Sequence, residues 1–138
     1  MPTLFEKMNL KDHREIVVLG APESFEPVLG TLEQVVVKRT TRQTDAVHFA
    51  IAFATKQDDV DRMTAELVAR SEGDAILWFA YPKKTSRNYA CEFNRDTGWQ
   101  KLHDAGFDTV RAVAIDDDWT ALRFRRVEYI KRPVASKR

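Results

Sequence analysis

The stretch AVHFAIAFATKQDDVDRMTAELVARSEGDAILWFAY, residues 46–81, decides the fold. Its opening, residues 46–54, is almost continuously apolar, as a strand covered by helices on both faces must be. Thr55 then opens a helix, with Asp58 three residues on as a capping-box-like pair. Val60, Met63, Leu67 and Val68 recur at helical spacing, and Gly73 closes the segment. Residues 75–81, AILWFAY, form another apolar strand. Strand, amphipathic helix, strand is the unit from which parallel sheets are built.

Upstream, EIVVLG (15–20) reads as a buried first strand. APES follows as a turn into a short helix over residues 25–32, with Pro27 in its first turn. EQVVV (33–37) is a second, β-branched strand. The link from it to residue 46 is short of the roughly dozen residues a parallel crossover usually needs. Either an extended strap makes the return, or this strand runs antiparallel or lies outside the sheet. Downstream, PKKTSRNYACEF (82–93) is a loop, and residues 94–105 read as a helix closed by Gly106. Strands at 109–116 and 119–126 flank a tight turn at Asp117-Asp118 and form a hairpin. The fold expected is an α/β three-layer Rossmann-like sandwich. Its sheet has about six strands, mostly parallel, and ends in an antiparallel hairpin. A single domain spans residues 1–130, and a basic, frayed tail covers 131–138.

Composition agrees with one globular domain. The chain has 138 residues, 43% hydrophobic and 31% charged, too apolar for a disordered segment. No apolar run approaches the ~20 residues of a membrane helix, and MPTLFEKMNLKDHRE at the start is no signal peptide. A lone cysteine, Cys91, excludes an internal disulfide and fits the reducing cytoplasm. The net charge of +1 conceals an asymmetry. Residues 120–138 carry seven cations and one acid, so the rest of the chain is mildly acidic. That balance argues against attraction of the whole molecule to nucleic acid.

The order of elements, the segment YPKK (81–84) and the ending VAIDDDWTALRFR (113–125) resemble a bacterial family known as a domain of unknown function. Its members carry a YPK segment and a VAID-x-x-W-[ST]-A-L-R-F-R ending, and the resemblance runs from about Leu4 to Arg126. That family in turn is similar to a shortened class I S-adenosylmethionine-dependent methyltransferase, which also finishes in a β-hairpin. The resemblance implies a Gly-rich turn after the first strand and an acidic residue ending the second. Here those places read Leu19-Gly20-Ala21-Pro22-Glu23 and Val37-Lys38-Arg39. The proline lacks a backbone donor and the second strand ends in cations, so both grips on the cofactor are missing.

The loop at Lys83, Lys84, Ser86 and Arg87 leaves the carboxyl end of a central strand, where α/β ligands bind. Its cations and hydroxyl suit a phosphate or carboxylate; otherwise it is a solvated loop. Gly20 and Ser24, beside the first crossover, belong to the same crevice if they face it. His48 reads as a buried neutral imidazole, and Asp116-Asp117-Asp118 as turn carboxylates rather than a metal site. Cys91 reads as a small buried hydrophobe. In the last strand Leu122 and Phe124 point one way and Arg123 and Arg125 the other, with Trp119 and Trp99 placed to flank the arginine face. That face is an ordinary charged edge or a partner surface, and it would suit a homodimer.

The expectation is a cytoplasmic domain that binds a small anionic ligand through Gly20, Ser24, Lys83, Lys84, Ser86 and Arg87, without methyltransferase activity. No catalytic residue, metal or cofactor is assigned. Two alternatives stand. One is an accessory protein contacting nucleic acid or a protein partner through the basic C-terminal strand and tail. The other is an enzyme of unassigned reaction, a divergent methyltransferase included.

Overall fold

The computed structural model describes residues 3–130; the tail at 131–138 lies outside the described residues. Six strands form one sheet: β1 (Glu15–Leu19), β2 (Val36–Lys38), β3 (Val47–Phe53), β4 (Ser71–Pro82), β5 (Phe107–Ala114) and β6 (Trp119–Arg126). Four helices accompany them: α1 (Leu4–Lys7), α2 (Glu26–Leu29), α3 (Gln57–Arg70) and α4 (Gln100–Asp104). The strand order is β2-β1-β3-β4-β6-β5. β2, β1, β3 and β4 are parallel, and β6 and β5 close the sheet antiparallel. This is the expected three-layer α/β sandwich.

Two cores fill the layers. Small Ala50, Ala52 and Ala54 face α3 and its Val60, Met63 and Leu67. Large Phe49, Ile51 and Phe53 face the other way, onto Phe5 and Met8 at α1 and Phe25 and Leu29 at α2. Small residues let the long helix approach, while bulky ones fill the space over two short helices. Trp78 joins the second core and donates its indole N–H to the Met8 carbonyl at 2.9 Å.

β2 lies in the sheet, parallel to β1, and its short return is explained by height. Lys38 pairs with Val17, which pairs with Ala50, so β2 ends level with the middle of β3. The chain therefore descends only three residues, about 10 Å, to reach Val47. Residues 39–46 cover this with a 3-10 turn at Thr41–Gln43.

Several boundaries differ from expectation, each for a physical reason. Thr55 does not cap α3; Lys56 is the N-cap residue and makes no side-chain cap bond. The cap comes from across the chain, where Glu92 Oε1 accepts the Gln57 amide at 2.9 Å and the Glu92 amide donates to the Thr55 carbonyl at 3.0 Å. Gly73 does not close α3 but lies within β4. Arg126 holds that segment extended by donating to the carbonyls of Gly73 and Ser71 and to the Ser71 hydroxyl. The helix expected at 94–105 shrinks to α4, because Asn94 Oδ1 accepts the amides of Asp96 and Thr97 and holds a turn there. Gly98 follows at φ +97°, closed on by Phe93 and Gln57. His48 is exposed rather than buried: a register irregularity between Val47 and Phe49 turns it out of the core. Trp99 packs with Phe124, on the face of the sheet opposite Trp119, so the two tryptophans do not flank one surface.

Glu92→Ala leaves the first amide of α3 uncapped. It should destabilise the domain by about 1 kcal/mol in urea unfolding.

Candidate functional site

The strand order reverses between β1 and β3, since β1 leads outward to β2 and β3 leads inward to β4. Open α/β sheets bind ligands outside the carboxyl ends of strands at such a point. A cavity of about 460 Å³ lies there, between Gly20 after β1, Phe53 and Thr55 after β3, and Met63 on α3. Glu23 and Asp59 give it carboxylates, and Tyr89 and Trp119 an aromatic wall. The rings of Phe53 and Trp119 meet edge-on at 5.2 Å, and Tyr89 lies 4.9 Å from Trp119. Trp119 is 3% exposed, and its indole Nε1 has no hydrogen-bond partner. A buried donor left unpaired costs about 1–3 kcal/mol, so this one is conspicuous at the mouth of a fold's ligand crevice. Gly20, at φ +66°, is obligatory: a Cβ there would lie 2.9 Å from the Phe53 carbonyl and 3.2 Å from Met63.

A second cavity, about 310 Å³, lies beyond Tyr89 at the carboxyl end of β4. Tyr81, Lys83, Lys84 and Glu92 are among its walls, and Tyr89 lines both cavities. Tyr81 is 7% exposed and its hydroxyl makes no hydrogen bond among the described residues. Burial pushes its phenol above the ordinary value, against the nearby positive charge of Arg95, so it stays protonated at neutral pH. Cys91 is half-buried against the first core, and burial pushes its thiol up, which keeps it unreactive.

Solved structures of low identity share the fold. A SAM dependent methyltransferase from Aquifex aeolicus superposes with a TM-score of 0.64 at 15% identity, over 90% of this chain and 88% of that one. Magnesium protoporphyrin IX methyltransferase (ChlM) from Synechocystis PCC 6803, with bound SAH, gives 0.56 at 13% identity, over 89% and 78%. N-methyltransferase NodS from Bradyrhizobium japonicum WM9 gives 0.55 at 13%, over 89% and 92%. The chain has a methyltransferase fold. No family model matches the sequence, and no curated protein does.

The methyltransferase fold distributes the sequence-predicted site residues unequally. Gly20 lines the crevice, and Lys83 and Lys84 line the second cavity. Ser24 is exposed and lines neither. Arg87 is likewise exposed and lines neither. Ser86 donates to Asp118 Oδ1 at 2.9 Å, and Asn88 to Asp118 Oδ2 at 3.0 Å. The Lys83 amide donates to the Asp118 carbonyl at 2.7 Å. The loop is thereby pinned to the hairpin turn, which Asp116 organises by accepting the amides of Asp118 and Trp119. Sequence alone missed Tyr81, Tyr89 and Trp119 as lining residues. The available signal was position, since Tyr81 and Trp119 stand at facing ends of neighbouring strands, within one residue of a cross-strand pair.

Asp118→Ala should release this loop without disturbing the sheet. Hydrogen exchange should speed up by about ten- to a hundredfold for the amides of Asn88 and Tyr89 and stay unchanged in β4.

Proposed function

We propose that the chain is a divergent methyltransferase, binding an S-adenosylmethionine-type cofactor in the crevice between β1 and β3 and a small anionic acceptor in the cavity beyond Tyr89. The crevice at the switch point of the sheet, where Gly20 closes on the Phe53 carbonyl and Tyr89 stands as an exposed aromatic wall, is the observation that carries it. The residues there suit such a cofactor. A planar base stacks on the exposed ring of Tyr89, and Glu23 supplies a carboxylate for a sulfonium charge, while Asp59 is paired with Arg62 in the same wall. The ribose hydroxyls find no carboxylate at the end of β2. Arg39 stands there instead, held to Glu26 by two hydrogen bonds of 2.8 and 2.7 Å that also push the Glu26 carboxyl down. Grip on the cofactor therefore shifts from β2 to the aromatic wall, which makes the protein divergent.

When bound, the cofactor supplies an electrophilic methyl group. The chain's own residues do the rest: Lys83 and Lys84 attract an acidic acceptor, the protonated Tyr81 hydroxyl donates to it, and Tyr89, which lines both cavities, borders the place where acceptor and methyl group must meet in line.

Titration with S-adenosylhomocysteine, followed by tryptophan fluorescence, should saturate in wild type. Tyr89→Ala, which removes the exposed ring from the crevice wall, should bind about tenfold more weakly by calorimetry. Lys83→Ala/Lys84→Ala should leave that affinity unchanged while reducing S-adenosylhomocysteine release in the presence of carboxylate or phosphate acceptors. Absence of saturable binding of either adenosyl compound at about 1 mM would overturn the proposal.

A further inference from the structure

Among the described residues, one buried charged side chain with an unpartnered donor lies on the closing hairpin, away from the crevice. Arg123 sits in the middle of β6, opposite Trp78 on β4 and opposite Arg111 on β5. It is 9% exposed, and its Nε has no hydrogen-bond partner. Arginine is almost never buried to this degree without a partner, because desolvating a guanidinium costs several kcal/mol unless an anion meets it. The neighbours make the position worse. Arg111 is directly across the ladder, and like charges facing each other on a sheet are destabilising. Arg125 is two residues on, hence on the same face. Asp74 is the acid whose charge reaches Arg123, yet its carboxylate is engaged by Arg125 at 2.8 and 2.6 Å. Burial, Arg125 and Arg111 together press the Arg123 guanidinium toward losing its proton, and Asp74 only partly opposes them.

A sheet face that brings Arg111 and Arg123 together and withholds a carboxylate is arranged for an anion from outside. We propose that Arg111 and Arg123 bind a terminal phosphate group on the outer face of the β5–β6 hairpin, with Arg125 beside them held in place by Asp74. The depth of Arg123 selects the kind of phosphate. A terminal, dianionic phosphate projects from its carrier and can reach a recessed guanidinium, and its oxygens suit paired guanidinium donors. A backbone phosphodiester carries one charge and is flanked by sugars, so it meets only the exposed Arg111. The ligand class is therefore a small phosphomonoester or a pyrophosphate, not a nucleic-acid strand.

The probe is inorganic pyrophosphate, added to the full chain at low ionic strength and followed by thermal shift and calorimetry. Wild type should gain thermal stability with pyrophosphate and bind it saturably. Arg111→Ala, at an exposed position, should bind about tenfold more weakly. Arg123→Met should abolish the pyrophosphate shift while leaving S-adenosylhomocysteine binding unchanged, which separates this site from the crevice. If Arg123→Met does not fold, Arg111→Ala decides alone. No saturable binding by wild type at about 10 mM overturns the site. So does an unchanged affinity in Arg111→Ala. A single-stranded oligonucleotide without terminal phosphates that displaces pyrophosphate at equal phosphate concentration overturns the choice of a terminal phosphate.

Discussion

The rest of the structure depends on complete desolvation of β3 from Phe49 to Phe53. A strand with no wet face must be flanked by strands on both sides and covered by helices above and below. The covering layers are unequal, and the strand's own side chains decide how. Alanines at 50, 52 and 54 admit the fourteen-residue α3, whereas phenylalanines at 49 and 53 fill space that two four-residue helices cannot. Placing α3 against the alanine face also places Met63 against Gly20. The crevice at the top of the sheet is thus a product of core packing, and its floor is as rigid as the core.

Folding normally pairs every buried polar group, and this chain does so even at long range. Trp78 reaches α1, Glu92 reaches the start of α3, and Arg126 reaches the start of β4. Against that background three unpaired groups stand out among the described residues, Thr64 Oγ1 on α3 and, on β6, Trp119 Nε1 and Arg123 Nε. The last two are four residues apart, and both lie on the face of the second core. The two on β6 lie in different places, one behind the crevice wall and the other on the outer hairpin. A strand that could have carried leucine and methionine at these positions instead keeps two donors without acceptors. Such positions are where local energetics yields to function.

Period and apolarity made the central elements legible. The β3–α3–β4 unit and the hairpin follow from them, and the span 119–126 coincides with β6 because polar and apolar residues alternate along it. What escaped were features fixed by partners distant in sequence. The cap of α3 lies 35 residues away in a loop, so the local pair Thr55 and Asp58 was misleading. His48 sits within an apolar run, and only the irregular pairing of β3 with β4 turns it outward. The height of β2 depends on a register with β1 that no local pattern encodes. The site was legible in the same measure: Lys83 and Lys84 followed from a strand end, while Tyr81 read only as the end of a strand, Tyr89 as part of a loop and Trp119 as a flank of the arginine face.

Asp118 shows why the loop after β4 cannot be judged from its own charges. Read alone, residues 83–87 carry three cations and two hydroxyls and look prepared to hold an anion. The fold supplies an acid in their midst, and Ser86 and Asn88 both donate to it. Part of the loop's capacity for anions is therefore spent internally, on anchoring. The anchoring in turn leaves Tyr89 against Trp119, between the two cavities. A cluster that reads as a binding motif thus acts first as a hinge pin. What remains for a ligand is Lys83, Lys84 and the buried Tyr81 hydroxyl, which stays protonated because burial disfavours the phenolate. These two cations and a neutral donor share the cavity wall with one acid, Glu92, whose carboxylate is engaged by α3. The crevice with Glu23, Asp59 and Arg62 and the cavity with Lys83 and Lys84 thus meet at a tyrosine whose loop is pinned by one aspartate in a hairpin turn.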